Sequence, residues 1–332
     1  MSTEDSLPEE ELLVGTYNMW EHGMYPDRPG EQDRYDLQVQ IMKHNLPCQV
    51  WAVHEIGNVE AFQRLADRLG MDCAVGKPGE IMDQPVFDPG GRGFGVGVMW
   101  DPAAGISAVP GTRRIYTEDV FFHGVASIVL DAGDDLLLQI ASGHATPWGF
   151  PQNFQEAKRW ASIMTRPNRG LPGGLAEVVV PGALITDSNS PTGDQIQQPD
   201  GSWTYHAPDP MAGKKWFHDN VYQQKYPRVL DPATGKPIPN TDRLAGDVLW
   251  DAGLHDPSAV LNLPFTPTTG YHRVDPNPPR DLDHIRLTED IRDSGAIVGV
   301  RVLDNKRVRV ASDHKPKQAR LKRSLLPRTR IA

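Results

Sequence analysis

The sequence predicts an α/β protein, a four-layer α-β-β-α sandwich whose two middle layers are packed mixed sheets. Short β-branched runs that end in polar residues recur along the whole chain, and segments with helical spacing separate them in both halves. The chain has 332 residues, of which 39% are hydrophobic, so it can bury a large core. Two strand-rich halves, each with helices on one side, suggest two sheets packed face to face.

The first half contains most of the predicted strands. They lie at 12–18, 49–54, 94–100, 121–131 and 135–143. Gly133-Asp134 suits a hairpin turn between the last two. A helix is expected at 31–45, and another at 58–70, where Asn58 suits the helix start and Gly70 the helix end.

The second half repeats this style around a long insertion. A helix is predicted at 152–164 and another at 243–254, and the strands are predicted at 182–186, 283–288, 296–303 and 307–312. Residues 190–242 are rich in Pro, Gly and Asp and are expected to form an irregular insertion. Because long loops in compact domains are often functional, this insertion is expected to form one wall of the substrate site.

The predicted organisation is a single domain with two charged ends. Residues 1–11 form an acidic N-terminal segment, residues 12–320 the domain with its insertion at about 190–242, and residues 321–332 a basic C-terminal tail. The formal net charge is −9, yet residues 315–332 hold seven Lys and Arg residues and no acid. An acidic body suits metal binding, and a basic tail suits a polyanion such as nucleic acid, although many such tails are only solvated.

Features of the sequence exclude several classes of protein. No run of about 18 apolar residues occurs, so no membrane span is expected. The N-terminus is acidic where a signal peptide would be basic and then apolar, which predicts a cytoplasmic protein. Cys48 and Cys73 are too few for a disulfide framework and lack the spacing of a thiolate zinc site, so both are expected in the core.

Polar residues follow the apolar strands at many points along the chain. They are Asn18, Glu55, His144, Asp187, Asn189, Asp283, Asp313 and His314. Any one of them could be an ordinary turn residue, but together they predict a site built at one rim of a sheet. Carboxylate and amide oxygens suit Mg²⁺ or Mn²⁺, and histidines beside carboxylates suit phosphate binding or proton transfer. This combination favours metal-assisted hydrolysis of a phosphoester.

The ordered motifs TYN, HE, SGH, TDSN, LDHI and SDHKP resemble those of the endonuclease/exonuclease/phosphatase superfamily, the deoxyribonuclease-like proteins. The resemblance extends from Leu12 to about Arg320. It implies the same four-layer sandwich and a Mg²⁺- or Mn²⁺-dependent hydrolase acting on ester bonds. It also implies that Glu55 is the principal metal ligand, that Asn18 contributes to the metal and phosphate shell, and that Asp313 approaches the metal.

The resemblance also implies catalytic roles. His144 would bind or protonate the phosphate, and Asn189 would hold a phosphate oxygen. Asp187 would orient or deprotonate the attacking water. His314 would be a general base or a transition-state stabiliser paired with Asp313. Asp283 would be a structural or metal-shell aspartate.

The chain departs from the family pattern in three places. His54 stands where a Gln usually precedes the metal-binding Glu, Ser188 replaces an aromatic residue, and Arg280 lies three residues before Asp283 where the family Arg lies two before. The expected function is a nuclease or other phosphodiesterase acting on nucleic acid. The alternatives are a phosphomonoesterase or phosphodiesterase for a small phosphorylated alcohol or lipid, and a non-catalytic binding module on the same fold.

Overall fold

The computed structural model describes residues 10–76, 84–91, 93–117, 120–167, 171–212, 225, 229–238, 240–275 and 277–329. The α-helices are α1 Glu31–Gln40, α2 Val59–Leu69, α3 Gln152–Thr165, α4 Leu244–Asp251, α5 Pro257–Val260, α6 Glu289–Asp293 and α7 Val308–Ala311. A π-helical turn at Ile41–Asn45 continues α1, and 3₁₀ turns occur at Pro102–Ala104, Gly173–Glu177 and Arg323–Leu325.

The strands vary from two to twelve residues in length. They are β1 Glu11–His22, β2 Val50–Ile56, β3 Ala74–Val75, β4 Gln84–Pro85, β5 Phe87–Asp88, β6 Gly95–Trp100, β7 Ser107–Ala108, β8 Arg114–Ile115, β9 Gly124–Asp131, β10 Leu137–His144, β11 Gly182–Asp187, β12 Gln195–Gln197, β13 Trp203–Tyr205, β14 Val229–Leu230, β15 Pro237–Ile238, β16 Leu254–His255, β17 Asp283–Thr288, β18 Ile297–Val302 and β19 Lys317–Lys322.

Two mixed sheets contain the longer strands. The first has the order β18-β19-β1-β2-β6-β5, and only β1 and β2 are parallel neighbours in it. The second has the order β16-β17-β11-β10-β9-β7, with β8 also paired to β9, and its parallel pair is β10 and β11. Each sheet therefore carries one parallel pair whose two strands end at the same edge.

The largest hydrophobic cluster lies between the two sheets. It joins residues of the first sheet, such as Val50 and Val98, to residues of the second, such as Ile128 and Ile185. On the outer face of the first sheet, Trp51 packs with residues of α1, α2 and α7. On the outer face of the second, residues of α3 and α4 pack on β10 and β11. The four-layer sandwich predicted from the sequence is confirmed.

The division into two halves, each forming its own sheet, is wrong. Strands β18 and β19 from the end of the chain join the first sheet, where β19 pairs with β1 in register from Glu11 to Thr16. Strands β9 and β10 from the first half belong to the second sheet. Each half of the chain therefore contributes strands to both sheets. Local periodicity cannot reveal this arrangement.

The predicted strand at 307–312 is also wrong, because these residues form the short helix α7. The side chain of Asn305 accepts hydrogen bonds from the backbone N–H groups of Arg307 and Val308, at 2.9 and 3.0 Å, and so starts a helical turn. Val308 and Ala311 are buried, three residues apart as on one helix face, whereas Val310 is 64% exposed. Capping and burial therefore override the β-branched composition.

The predicted basic tail begins inside the first sheet. Strand β19 continues to Lys322, and Leu326 is buried in the core between the sheets. Arg323 donates hydrogen bonds to the backbone carbonyls of Glu11, Ala132 and Ala104. The start of this segment is therefore packed structure.

The insertion at 190–242 contains local structure where it is described. Strands β12 and β13 form one small hairpin and β14 and β15 another. Its first residues are anchored by Asp194, whose carboxylate lies 2.7 Å from the guanidinium of the buried Arg286. Cys48 and Cys73 are both buried, as expected. Among the described residues, no helix is both long and apolar enough to cross a bilayer.

Candidate functional site

The polar residues singled out by the sequence meet where the two parallel strand pairs end. Asn18 and Glu55 lie near the ends of β1 and β2 in one sheet, and His144 and Asp187 end β10 and β11 in the other. Asp283 begins the antiparallel strand β17 directly opposite Asp187. The sandwich therefore brings residues that are distant in the sequence to one rim.

Glu55 is presented by an irregularity in β2. The pairing of β2 with both neighbours shifts register between His54 and Ile56, and Glu55 itself has a φ of 59°. A left-handed conformation is unfavourable for glutamate and is typical of a bulge that turns a side chain toward a site. The carboxylate of Glu55 consequently reaches the Asn18 amide, with 2.9 Å between Nδ2 and Oε1.

The amide of Asn18 holds two carboxylates together. Its oxygen accepts the backbone N–H of Trp20 at 2.9 Å, which fixes the orientation of the amide. Its nitrogen donates to Glu55 Oε1 at 2.9 Å and to Asp187 Oδ2 at 2.8 Å. Asn18 was expected in the metal shell, and in this geometry its amide positions the two carboxylates, Glu55 and Asp187.

His314 is paired with Asp283. The expected pairing of His314 with Asp313 is therefore wrong. His314 Nδ1 lies 2.8 Å from Asp283 Oδ2, and His314 Nε2 lies 3.8 Å from Asp187 Oδ2. Burial alone would lower the pKa of His314, but the carboxylates of Asp283 and Asp187 raise it well above its usual value. The imidazole is therefore held as a cation between two carboxylates.

Asp187 lies at the centre of the site. In addition to Asn18, its carboxylate accepts the backbone N–H of Asn189 at 3.1 Å and lies 3.7 Å from His144 Nε2. Burial alone would raise the pKa of Asp187, but the charge of His314 holds it below its usual range. Asn189 has a φ of 46° and donates to the carbonyl of Ala145 at 3.0 Å, which joins the loops after β10 and β11.

The site carries an excess of negative charge. Burial and the neighbouring Asp313 raise the pKa of Glu55 to about 8, and burial raises the pKa of Asp313 as well. Within the described part of the chain, Asp283 Oδ1 and Asp313 Oδ1 are buried without a hydrogen-bond partner. Buried carboxylates of this kind are stabilised by a cation, and their oxygens are the donors that hard divalent ions prefer.

Two overlapping groups of side chains here could hold a metal ion. Ligand atoms of Glu55, His144 and Asp187 lie within 4.8 Å of one another, and the same is true of Asp187, Asp283 and His314. The second group contains the Asp283–His314 hydrogen bond, and an imidazolium cannot also bind a metal. The oxygen-rich group around Glu55 and Asp187 therefore fits a divalent ion better.

A third acidic group already contains a cation. Ligand atoms of Asp256, Asp281 and His284 also lie within 4.8 Å of one another. However, the ammonium of the buried Lys317 lies 2.7 Å from Asp256 and 3.0 Å from Asp281. This lysine occupies the place that a metal would take, so the group is a structural ion-pair cluster.

His123 also lies at the site, although it was not predicted from the sequence. Its ring stacks on that of His144, with 4.2 Å between the centroids and an angle of 21° between the planes. The signal was present in the predicted hairpin, since pairing β9 with β10 places Gly124 opposite His144 and brings the preceding residue beside it. His54, noted as a departure from the family pattern, lies beneath the site with its Nε2 3.4 Å from the carbonyl of Ile185.

Solved structures resemble this architecture over nearly the whole chain. An endonuclease/exonuclease/phosphatase family protein from Bacteroides thetaiotaomicron superposes with a TM-score of 0.58 at 13% identity, covering 94% of each chain. The chain has the deoxyribonuclease I-like fold. The mannosyl-6-phosphatase Bt3783 of the same bacterium shares this fold with a TM-score of 0.56 at 13% identity, covering 93% of this chain and 98% of the other.

A third structure with the deoxyribonuclease I-like fold is D. rerio TDP2 complexed with a single-strand DNA product. It superposes with a TM-score of 0.53 at 12% identity, covering 93% of this chain and 98% of TDP2. No family model and no curated protein matches the sequence. The relationship is therefore visible in the three-dimensional fold at identities too low to identify a substrate.

Proposed function

We propose that the protein is a divalent-metal-dependent hydrolase of phosphoesters. The observation that carries this proposal is the buried constellation in which Asn18 joins Glu55 to Asp187 while His314 stands between Asp187 and Asp283. This constellation places the carboxylates, the imidazolium of His314 and the neutral imidazole of His144 around one point of the rim. The phosphatase and the DNA-bound TDP2 among the structural neighbours support the same chemistry.

Glu55 and Asp187 would hold the divalent ion, with Asp313 near enough for its charge to raise the pKa of Glu55. When bound, a Mg²⁺ or Mn²⁺ ion supplies positive charge that polarises a phosphoryl oxygen and offsets the charge developing on it. Asn18 keeps the two carboxylates at a constant separation.

His314 would bind a phosphate oxygen as a cation. A carboxylate faces each of its ring nitrogens, so both nitrogens carry protons and the ring is a donor. This arrangement favours stabilisation of the transition state over the alternative role of general base. Asp283 fixes the direction of the ring, as a carboxylate does for histidine in other hydrolytic sites.

Asp187, His144 and Asn189 would handle the water and the phosphate. The pKa of Asp187 is held low, so this carboxylate is ionised and can orient an attacking water through a hydrogen bond. Burial holds the pKa of His144 well below its usual value, and its Nδ1 lacks a hydrogen-bond partner among the residues described. A neutral His144 and the amide of Asn189 are suited to contacting phosphate oxygens.

The C-terminal charges favour a small phosphoester over nucleic acid. Lys315 pairs with Asp304 at 3.1 Å, Lys317 with two buried aspartates, and Arg320 with Glu11 at 2.8 Å. These cations are neutralised within the molecule, and the chain as a whole carries a net charge of −9. Binding of a polyanion depends on cations that can replace its counterions, so this surface offers less than the sequence suggested.

A nuclease is the second candidate. The single-strand DNA product bound to a protein of the same fold favours it, as does the exposed Lys322 near the chain end. A nuclease and a small-substrate phosphatase would share the same metal site and differ in the surface that binds the alcohol portion of the ester.

An activity screen tests the proposed function. Purified protein with Mg²⁺ or Mn²⁺ is offered p-nitrophenyl phosphate, bis-p-nitrophenyl phosphate, plasmid, single-stranded DNA and RNA. We expect hydrolysis, and we expect a chelator or the substitution Glu55→Gln to abolish it. The control Glu60→Gln, on the exposed side of α2, should keep the activity. Binding of phosphoesters without turnover under any metal condition would instead identify a non-catalytic binding module.

A further inference from the structure

A cavity of about 530 Å³ lies between the loop after β10 and the residues around the insertion. Its lining includes Phe150 from that loop, Tyr205 from β13, and Asp209, Asp242 and Asp247. The volume is within the range of ordinary small-molecule sites, roughly 300–1,000 Å³. None of the catalytic candidates is among the described lining residues, so the cavity lies outside the candidate site itself.

The cavity and the candidate site are built on shared chain segments. Ser190 directly follows Asn189 in the chain, and its hydroxyl donates to the carbonyl of Asp242 at 3.2 Å. Phe150 belongs to the loop that follows His144, and Asn189 is joined to this loop through the carbonyl of Ala145. Two segments that carry candidate phosphate-binding residues therefore continue into the walls of the cavity, which places the cavity beside the candidate site.

Aromatic rings and hydrogen-bond acceptors together line the cavity. Phe150 is 54% exposed and Tyr205 is 42% exposed, so both present ring surface to solvent. Asp242 and Asp247 also contribute carboxylates to the lining. Asp247 Oδ2 accepts the hydroxyl of Tyr205 at 3.3 Å. Walls of this kind bind an apolar C–H face and hydrogen-bond donors. A ring with hydroxyl groups offers both.

The charges of the lining argue against an anionic occupant. Asp209, Asp242 and Asp247 contribute carboxylates, whereas the cations of the lining are Lys225 and Arg243. Arg243 donates to the backbone carbonyls of Thr192, Ala207 and Pro208 and lies over the ring of Tyr205, so its guanidinium is bound to the protein itself. The lining therefore carries one more carboxylate than cations, which disfavours a neighbouring phosphate of a nucleic acid strand.

We propose that this cavity binds the alcohol half of the substrate and that this half is a neutral sugar ring. The inference rests on the proposed function, since it takes the ester phosphate to lie at Asp187, His314 and Asn189. The sugar stacks on Phe150 and Tyr205 and donates its hydroxyls to Asp242 and Asp247. The insertion thereby determines the substrate class, which is a sugar phosphate.

The test compares esters that share a phosphate and differ in the alcohol. The substrates are glucose 6-phosphate, ethyl phosphate and thymidine 5′-phosphate, with phosphate release as the readout. We expect a kcat/KM for glucose 6-phosphate at least about tenfold above those of the other two, since an aromatic stacking contact contributes about that factor. Phe150→Ala and Asp247→Asn should each lower this preference severalfold, and either variant suffices if the other does not fold.

Trp203→Ala is the matched control. Trp203 is as exposed as Phe150, at 55%, and lies on the same strand as Tyr205, but its ring contacts Trp250 and lines a different surface. This variant should keep the wild-type preference. Equal kcat/KM for glucose 6-phosphate and ethyl phosphate, or a preference for thymidine 5′-phosphate, would overturn the proposal while leaving the phosphoesterase function intact.

The absence of any hydrolysis, including that of bis-p-nitrophenyl phosphate, would instead refute the proposed function. Calorimetric titration with glucose 6-phosphate then tests the cavity alone. Binding that Phe150→Ala weakens and Trp203→Ala preserves supports the sugar subsite. Undetectable binding, or equal binding by all variants, contradicts it.

Discussion

Single side chains in this site act by holding other side chains in place. Asn18 turns its nitrogen toward Glu55 and Asp187 because the backbone N–H of Trp20 occupies its oxygen. Asp283 does the same for His314 by accepting a hydrogen bond from Nδ1 at 2.8 Å. Both positioning residues are completely buried, so their orientation is determined by the fold and not by solvent.

Asp283→Asn should lower kcat more than it lowers stability. The amide cannot stabilise the imidazolium, so the pKa of His314 should fall toward its ordinary value and turnover should fall by about 10²–10⁴-fold. Turnover of p-nitrophenyl phosphate and an NMR titration of His314 provide the two readouts. Asp313→Asn is the comparison, and it should weaken Mn²⁺ binding with a smaller change in the pKa of His314. A larger change in that pKa for Asp313→Asn would restore Asp313 as the partner.

Lys317→Met should be strongly destabilising although Lys317 lies outside the candidate site. Its ammonium is buried between Asp256 and Asp281, and the charges of these aspartates raise the pKa of Lys317 despite its burial. Removing one partner of a buried ion-pair cluster leaves uncompensated charge and typically costs about 3–5 kcal/mol. Chemical denaturation measures this loss. Lys322→Met on the exposed side of the same strand should change the free energy of unfolding by less than about 0.5 kcal/mol.

At the scale of elements, one buried amide connects α1, β1 and α7. Gln38 of α1 donates from Nε2 to the carbonyls of Met19 at 2.7 Å and Ala311 at 2.9 Å. Its oxygen lies 2.7 Å from Nδ1 of His22, so this nitrogen of His22 carries the proton. Ala311 ends α7 directly before the Ser312-Asp313-His314 loop, so the packing of α1 supports the position of that loop.

This junction should make stability depend on pH. Burial lowers the pKa of His22 to about 4 in the folded protein, against 6.5 for an unperturbed histidine. Between these values the unfolded chain binds a proton that the folded chain does not, so stability is full above pH 6.5 and falls as the pH drops toward 4. The loss from this group is about 3 kcal/mol.

The free energy of unfolding, measured from pH 7 to 4, tests this prediction in the wild type and in His22→Asn. The variant should be less stable at pH 7 because it loses packing, and it should show a shallower decline in acid. Parallel curves for the two proteins would show that other groups cause the acid dependence.

At the scale of the whole molecule, the two ends of the chain complete the sandwich together. β19 is hydrogen-bonded to β1, and Leu326 enters the core between the sheets. Truncation after Leu321 removes this leucine and the contacts of Arg323, so it should reduce the free energy of unfolding by at least about 2 kcal/mol. Truncation after Thr329, which keeps every described residue of this segment, should cost less. Equal stability of the two truncated proteins would show that the segment does not contribute to the core.

The proposed role of the C-terminal segment in polyanion binding needs a different experiment. Because truncation also removes part of the core, it cannot separate lost charge from lost packing. A double substitution of the exposed Lys322 and Arg328 with Gln removes two positive charges and leaves Leu326 and Arg323 in place. Its effect on the slope of log affinity against log salt for single-stranded DNA reports whether these cations contact phosphates.

Local sequence patterns predicted the helices and strands better than they predicted which side chains pair in space. Helix α2 was predicted from Asn58 and Gly70, and the structure has Asn58 accepting the N–H of Ala61 and Gly70 with a φ of 73°. In contrast, neighbouring residues such as Asp313 and His314 were expected to pair, although the partner of His314 lies 31 positions away at Asp283. Pairing depends on the direction of each side chain, which tertiary packing determines and sequence separation does not encode.

The most direct test of the proposed metal centre is the release of protons when the protein binds Mn²⁺. Without a cation, burial and Asp313 raise the pKa of Glu55 to about 8, so Glu55 is mostly protonated at pH 7. Mn²⁺ requires the ionised carboxylate, and calorimetric titration in buffers of different ionisation enthalpy should detect close to one released proton. Glu55→Gln should lose this release together with most of the affinity. Tight Mn²⁺ binding to wild-type protein without proton release, or unchanged binding by Glu55→Gln, would contradict the assignment of this site as the metal centre.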